Sequence, residues 1–179
     1  LVVSLAYLYL LWRRLLAYLR YFQQEGYDAV RFLRWANVRS LADPAFWVAV
    51  ASAFLFLIDA TLAVTLFTTG AVVLGLVQPD PRTTGKITLK MTWRARRVLT
   101  VAMLLGITGF IVVMRAYVGV ELRAPLIAAS WMLALLPLVP VLANAVLAPY
   151  ERHTQRAYYG DAVRQLARVQ PFVIAVTGS

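Results

Sequence analysis

The sequence predicts an all-α integral membrane domain of about five transmembrane helices with amphipathic cytoplasmic helices, ending in the first β-strand of an α/β domain. Three observations carry that expectation. Apolar blocks at 1–12, 45–77 and 98–148 dominate a chain that is 61% hydrophobic over 179 residues. Its mean hydropathy of +0.71 is well above that of an ordinary soluble domain. All but two of the 18 Lys and Arg residues fall in three segments, 13–39, 82–97 and 152–168, that separate or follow those blocks. The last nine residues, 171–179, form a short, partly β-branched apolar run that ends in Thr177-Gly178-Ser179.

Residues 1–12 read as the end of a spanning helix. They lack the basic n-region and small-residue cleavage site of a signal peptide. Because the first residue is Leu1 and not Met, further chain is expected upstream. Leu15, Leu16, Leu19 and Phe22 recur at helical spacing beside Arg13, Arg14 and Arg20. Ala29, Phe32, Leu33 and Ala36 do the same beside Arg31 and Arg34, with Gln23-Gln24-Glu25-Gly26 between the two stretches. Both are expected to lie on the membrane surface, arginines toward headgroups and aromatics inward.

Asp43-Pro44 is a helix start, with an N-cap acid and Pro at N1. The 33 residues of 45–77 are too many for one span of ~20 residues. They divide into helices at 45–58 and 62–77 about a turn at Asp59-Ala60-Thr61. Each leg reaches only ~21–24 Å at 1.5 Å per residue, short for a hydrocarbon core. Pro79-Asp80-Pro81 ends the second leg. Arg115, Glu121 and Arg123 divide the last block into helices at 98–114 and 125–147. Pro125 suits the first turn of the latter, and Pro137 and Pro140 are expected to kink it.

If each basic segment is cytoplasmic, both long blocks cross an even number of times. The result is five crossings, an outside N-terminus and a cytoplasmic C-terminus. A linker helix is expected over 151–170, its part from 161 to 169 amphipathic, before Pro171 opens the strand. A net charge of +10 admits nucleic acid, but basic residues set between apolar runs fit anionic lipid headgroups better. With no cysteine, disulfides and thiolate metal sites are excluded. No carboxylate pair stands at ligand spacing.

The candidate binding residues are Thr177, Gly178 and Ser179. A buried strand entering a Gly-containing turn directs backbone N–H groups at a phosphate. Alone the triplet is a weak signal, and a plain β-turn is the simpler reading. Thr83-Thr84-Gly85-Lys86 lacks the upstream Gly of a phosphate loop and has Ile87 in the Ser/Thr position, so it reads as a solvated turn. Asp59 is either a functional group within an apolar block or a wet outer turn, the latter favoured. His153, the only histidine, reads as solvated or headgroup-facing. Arg94, Arg96 and Arg97 read as a topology determinant, with a lipid-linked phosphate as the lesser alternative. The tryptophans read as interfacial anchors. Thr65, Thr68, Thr69, Gly70 and Gly75 offer a close-packing face to a partner helix.

The run Phe172-Val-Ile-Ala-Val-Thr-Gly-Ser179 resembles the opening of the ATP-binding loop of the Mur ligase family. That loop continues, after one residue, with Gly-Lys-Ser/Thr. Residues 21–35, 81–86 and 94–97 are similar to the membrane-embedded N-terminal region of some bacterial Mur ligase-like proteins. The nearest type is the ligase that adds D-alanyl-D-alanine to the muramoyl tripeptide. The resemblance implies ATP-dependent amide formation through an acyl phosphate, in peptidoglycan precursor synthesis at the bacterial inner membrane. It implies ATP and Mg²⁺ as cofactors, bound by a domain that follows Ser179. Thr177, Gly178 and Ser179 would supply the first backbone turn around the phosphates, and residues 1–179 alone would be inactive. The alternative is a non-catalytic accessory subunit of a larger membrane complex, bound to other membrane proteins. A transporter is disfavoured, because Asp59 is the only coupling group the apolar blocks offer.

Overall fold

The computed structural model describes residues 2–40, 42–116 and 130–169. Every regular element among them is an α-helix: α1 (Val2–Gln24), α2 (Ala29–Ser40), α3 (Pro44–Ile58), α4 (Ala60–Val77), α5 (Trp93–Ala116) and α6 (Leu138–Val169). Residues 130–134 are also helical, and a turn at 135–137 separates them from α6. The chain forms two compact units, Leu1–Ala145 and Val146–Ser179. The strand expected at 171–179 lies outside the described residues.

Three helices, α1, α4 and α5, are long and apolar enough to cross a membrane, and a fourth span results if α2 and α3, bent by 67°, count as one. Phe54, Leu57 and Ile58 on α3, Leu62, Val73 and Leu76 on α4, and Leu104, Ile111 and Val112 on α5 are all exposed. So much outward apolar surface suits hydrocarbon and not water. The fold is that of a helical membrane protein.

The first helix is longer than its sequence suggests. Residues 2–24 form one continuous helix, not a spanning end followed by a separate surface helix. Nothing between Val2 and Gln24 breaks it, for there is no Gly or Pro. It ends in a Schellman motif. Gly26 (φ 64°) takes the left-handed C′ position, Tyr27 N–H donates to Phe22 O at 2.8 Å and Gly26 N–H to Gln23 O at 3.1 Å. The accompanying apolar contact is Phe22 against Tyr27, ring centroids 5.4 Å apart.

α1 is the hub of unit 1. It packs against α2, α4 and α5, and Tyr7, Leu10, Leu11, Leu15, Leu16, Leu19 and Phe22 are all buried. Near its start, Val3 meets a cluster of Phe56, Ala63 and Met114, which joins the α3–α4 turn to the end of α5. Farther along, Tyr7 donates to Gly106 O at 3.1 Å and stacks on Phe110 at 4.3 Å. These pairings make α1 antiparallel to α5 and parallel to α4.

The block 45–77 is a hairpin whose turn is a single residue. Asp59 N–H donates to Leu55 O at 2.8 Å, closing α3. Its Oδ1 accepts from Thr61 N at 2.7 Å and Leu62 N at 3.1 Å, capping α4. The legs press together at Gly70, where a Cβ would stand 2.6 Å from Val48 Cγ1. A Cβ at Gly75 would likewise meet the ring of Tyr9 on α1. These two glycines therefore serve packing inside the chain, and the face expected to receive a partner helix is partly used up.

α2 also departs from expectation. It does not turn its aromatics toward lipid but packs along the second half of α1. Phe32 is buried against Phe22 (centroids 5.0 Å) and Tyr18 (6.3 Å), and Trp35 stacks on Tyr21 at 4.0 Å. Aromatic side chains on two neighbouring helices satisfy each other more fully than a headgroup layer would.

In the last apolar block, Pro137 sits in the break at 135–137 and Pro140 in the first turn of α6, where its missing N–H costs nothing. The linker helix expected at 151–170 is not separate, since α6 runs unbroken to Val169 and carries Pro149 within it. Val163, Leu166 and Val169 on its last turns are exposed.

Candidate functional site at the basic end of the bundle

Within unit 1 the first two basic segments converge. Loop 78–92 is tied to the second half of α1 by paired hydrogen bonds, Gln23 Nε2 to Lys90 O at 2.9 Å and Lys90 N to Gln23 Oε1 at 3.1 Å. Arg20 Nη1 donates to Thr84 O at 3.3 Å, and Leu89 is buried. The loop holds its own shape through Asp80. Its carboxylate accepts from Arg82 N at 2.9 Å and from Arg82 Nη2 at 2.7 Å, while its carbonyl accepts from Thr84 N at 2.9 Å. The Arg82 guanidinium, first by its hydrogen bonds, holds the Asp80 carboxyl down to about 2. Thr83, Thr84, Gly85 and Lys86 are exposed in this turn, where Gly85 takes φ 105°.

Arg13 closes the end of α4. Its Nε donates to Gly75 O at 2.8 Å and its Nη2 to Gln78 O, and Gln78 Nε2 returns a bond to Arg13 O at 3.2 Å. A cation on the last carbonyls of a helix satisfies orphan acceptors and complements the dipole. Arg14 pairs with Asp43, which also caps α3 by accepting from Ala45 N at 2.9 Å. Arg94 lies over the Tyr27 ring at 4.1 Å and donates to Asn144 Oδ1 at 3.3 Å. Arg96 lies over Trp93 at 5.3 Å. Arg94 and Arg96 thus each lie over an aromatic ring, which a purely topological role does not require.

Between α1, α2 and the starts of α3 and loop 78–92 lies a cleft of about 270 Å³, lined among others by Arg14, Tyr18, Arg20, Tyr21, Trp35 and Arg39. Arg20 leans over Tyr21 at 4.7 Å and Arg14 over Tyr18 at 5.2 Å. The sequence reading sets Arg14 and Arg20 on one surface helix, leaves Arg39 at the end of a basic segment and does not show the cleft. The helical spacing of Arg14, Tyr18 and Tyr21 on α1 was the one available signal.

The binding residues expected from sequence are not part of this site. Thr177, Gly178 and Ser179 lie outside the described residues. Asp59 is exposed at the opposite end of the hairpin, where its role is capping. His153 is exposed on α6, and among the described residues no three His, Cys, Asp or Glu side chains are grouped to hold a metal. Trp47 and Trp93 are exposed near the basic ends of their helices, as interfacial anchors would be, whereas Trp12 is exposed midway along α1 and Trp35 is taken up by Tyr21. No family model, curated protein or solved structure matches the chain.

Proposed function

We propose that residues 1–150 are the membrane domain of an ATP-dependent, Mur ligase-like amide ligase of cell-wall precursor synthesis. The domain holds catalytic parts at the inner face of a bacterial plasma membrane. The observation that carries this reading is the apolar run 172–176 entering Thr177-Gly178-Ser179 directly after a helical membrane protein. In this reading ATP and Mg²⁺ bind beyond Ser179, and the membrane part holds neither.

Five crossings with a cytoplasmic C-terminus draw support from helix direction. α1 and α4 run toward the basic end while α3 and α5 run away from it. Met132 meets Gly109 and Asn144 meets Arg94, so the chain from 132 to 144 returns alongside α5. We read that return as the fifth crossing. The positive-inside rule then sets the basic end in the cytoplasm.

Sequencing the natural protein across Ser179 tests the ligase reading. Gly-Lys-Ser/Thr one residue after Ser179, together with ATP-dependent ligation by that protein, is the expected result. Any other residues there remove it and leave an accessory subunit of a membrane complex. The small polar residues of α4 not consumed by the hairpin, Thr65 and Thr69, support that second reading, because both are exposed.

A further inference from the structure

We propose that the cleft lined by Arg14, Arg20 and Arg39 is a binding site for the phosphate of an anionic headgroup, a phosphodiester or a diphosphate. The proposal is independent of the ligase reading, since it rests on the described residues alone.

Charge is the first argument. Three guanidiniums line the cleft against one carboxylate, Asp43. That carboxylate is already engaged by Arg14 and by the backbone of α3. Arg20 and Arg39 have no acidic partner among the described residues. Arg20 donates to Tyr21 Oη at 2.9 Å and to the Thr84 carbonyl at 3.3 Å, both of them neutral acceptors. A partly buried cation with only neutral acceptors is costly unless an anion pairs with it. The planar fork of Arg suits a phosphate in particular.

Position and size are the second argument. The cleft sits where α3 begins and α4 ends, at the end of the bundle that gathers the first two basic segments. Basic pockets between helices at that level are where lipid phosphates bind. At about 270 Å³ it is below the ~300–1,000 Å³ of sites that enclose a drug-sized ligand. It fits a headgroup better than a whole nucleotide. Tyr18, Tyr21 and Trp35 give it the amphipathic wall that a glycerol or prenyl end would meet.

The full chain is placed in nanodiscs of equal phosphatidylglycerol and phosphatidylcholine, and the lipids retained on it are read by native mass spectrometry. Phosphatidylglycerol is expected to be retained ~tenfold over phosphatidylcholine. The double variant Arg20→Ala/Arg39→Ala is expected to lose that preference. Arg164→Ala/Arg168→Ala, on the exposed end of α6, is expected to keep it. Arg20→Lys/Arg39→Lys, which keeps the charge without the fork, falls between and guards against a folding defect. Inorganic pyrophosphate added to pure phosphatidylcholine discs separates the sources. Pyrophosphate bound through the same two arginines assigns a diphosphate, and phosphatidylglycerol bound without it assigns a bilayer phosphodiester. Equal retention of the two lipids by the wild type, with no pyrophosphate bound, overturns the proposal. So does equal loss in the two alanine pairs.

Discussion

At the scale of single residues, polar side chains here mostly finish helix ends. Asp43 starts α3 and Asp59 ends it and starts α4. Arg13 reaches across from α1 to the last carbonyls of α4. Asp80 performs the corresponding task for loop 78–92, and its titration offers a direct test. The Asp80 carboxyl is held down to about 2 by Arg82, below its ordinary ~3.9. A group with a lowered folded value contributes stability that is complete above its unfolded value and is lost as pH falls through the folded one. Amide exchange in 80–90, corrected for intrinsic rates, is therefore expected to rise as pH drops from about 4 toward 2. Asp80→Asn should show faster exchange at neutral pH and little of that dependence. If exchange in the two proteins is indistinguishable at pH 6, Asp80 does not organise the loop.

Asp59 also shows how far single residues were legible. An acid between two apolar runs, followed by Thr61, announces a turn and a cap, and capping needs only neighbours in sequence. Arg13 announced nothing comparable. Its partners, Gly75 and Gln78, stand more than sixty residues away, and no local pattern names them.

At the scale of elements, the hairpin of α3 and α4 depends on the absence of a side chain at Gly70. Gly70→Leu should force the legs apart at Val48 and destabilise unit 1 by about 1–3 kcal/mol, the usual cost of overpacking. It would be read as a lowered midpoint of thermal unfolding in detergent. Gly160→Ala is the contrasting case. Gly160 lies inside α6 with nothing within 4 Å of the new Cβ, so the change should stabilise that helix by about 0.5–1 kcal/mol. A neutral Gly70→Leu would mean that the hairpin is looser than the Val48 contact implies.

Element ends were legible where chemistry marks them, at Gly26, Asp43-Pro44, Asp59 and Pro79. They were not legible where nothing does. Residues 12–15 carry a change from apolar to basic, which looks like the end of a span, yet α1 continues through it because a helix responds to backbone and neighbours and not to solvent alone. Pro149 lies within α6 without ending it. A proline removes one hydrogen bond and bends a helix without always ending it.

At the scale of the whole molecule, the spatial meeting of 13–39 and 78–97 is the organising fact. Two basic segments far apart in sequence share one end of the bundle, with the α3–α4 turn at the other. A chain without cysteine permits a clean test by single-cysteine labelling in intact cells. Thr84→Cys is expected to react only after the membrane is breached. Thr61→Cys should react with an impermeant maleimide added outside. Reversed labelling would invert the assigned orientation, and labelling of both from one side would refute the crossing count.

What the sequence by itself determined is the class of protein, the position of most turns and the grouping of the basic residues into segments. These follow from local quantities: the length of an apolar run, a cap residue, a proline, a cluster of arginines. What only the tertiary structure decided is which of those pieces are neighbours. It made residues 2–24 a single central helix, turned the aromatics of α2 onto α1, spent two glycines of α4 on internal packing and gathered Arg14, Arg20 and Arg39 around one cleft. Contacts of that kind depend on side chains from segments tens of residues apart fitting one another in shape and charge. Periodicity reports which face of a helix is apolar, but not what covers it.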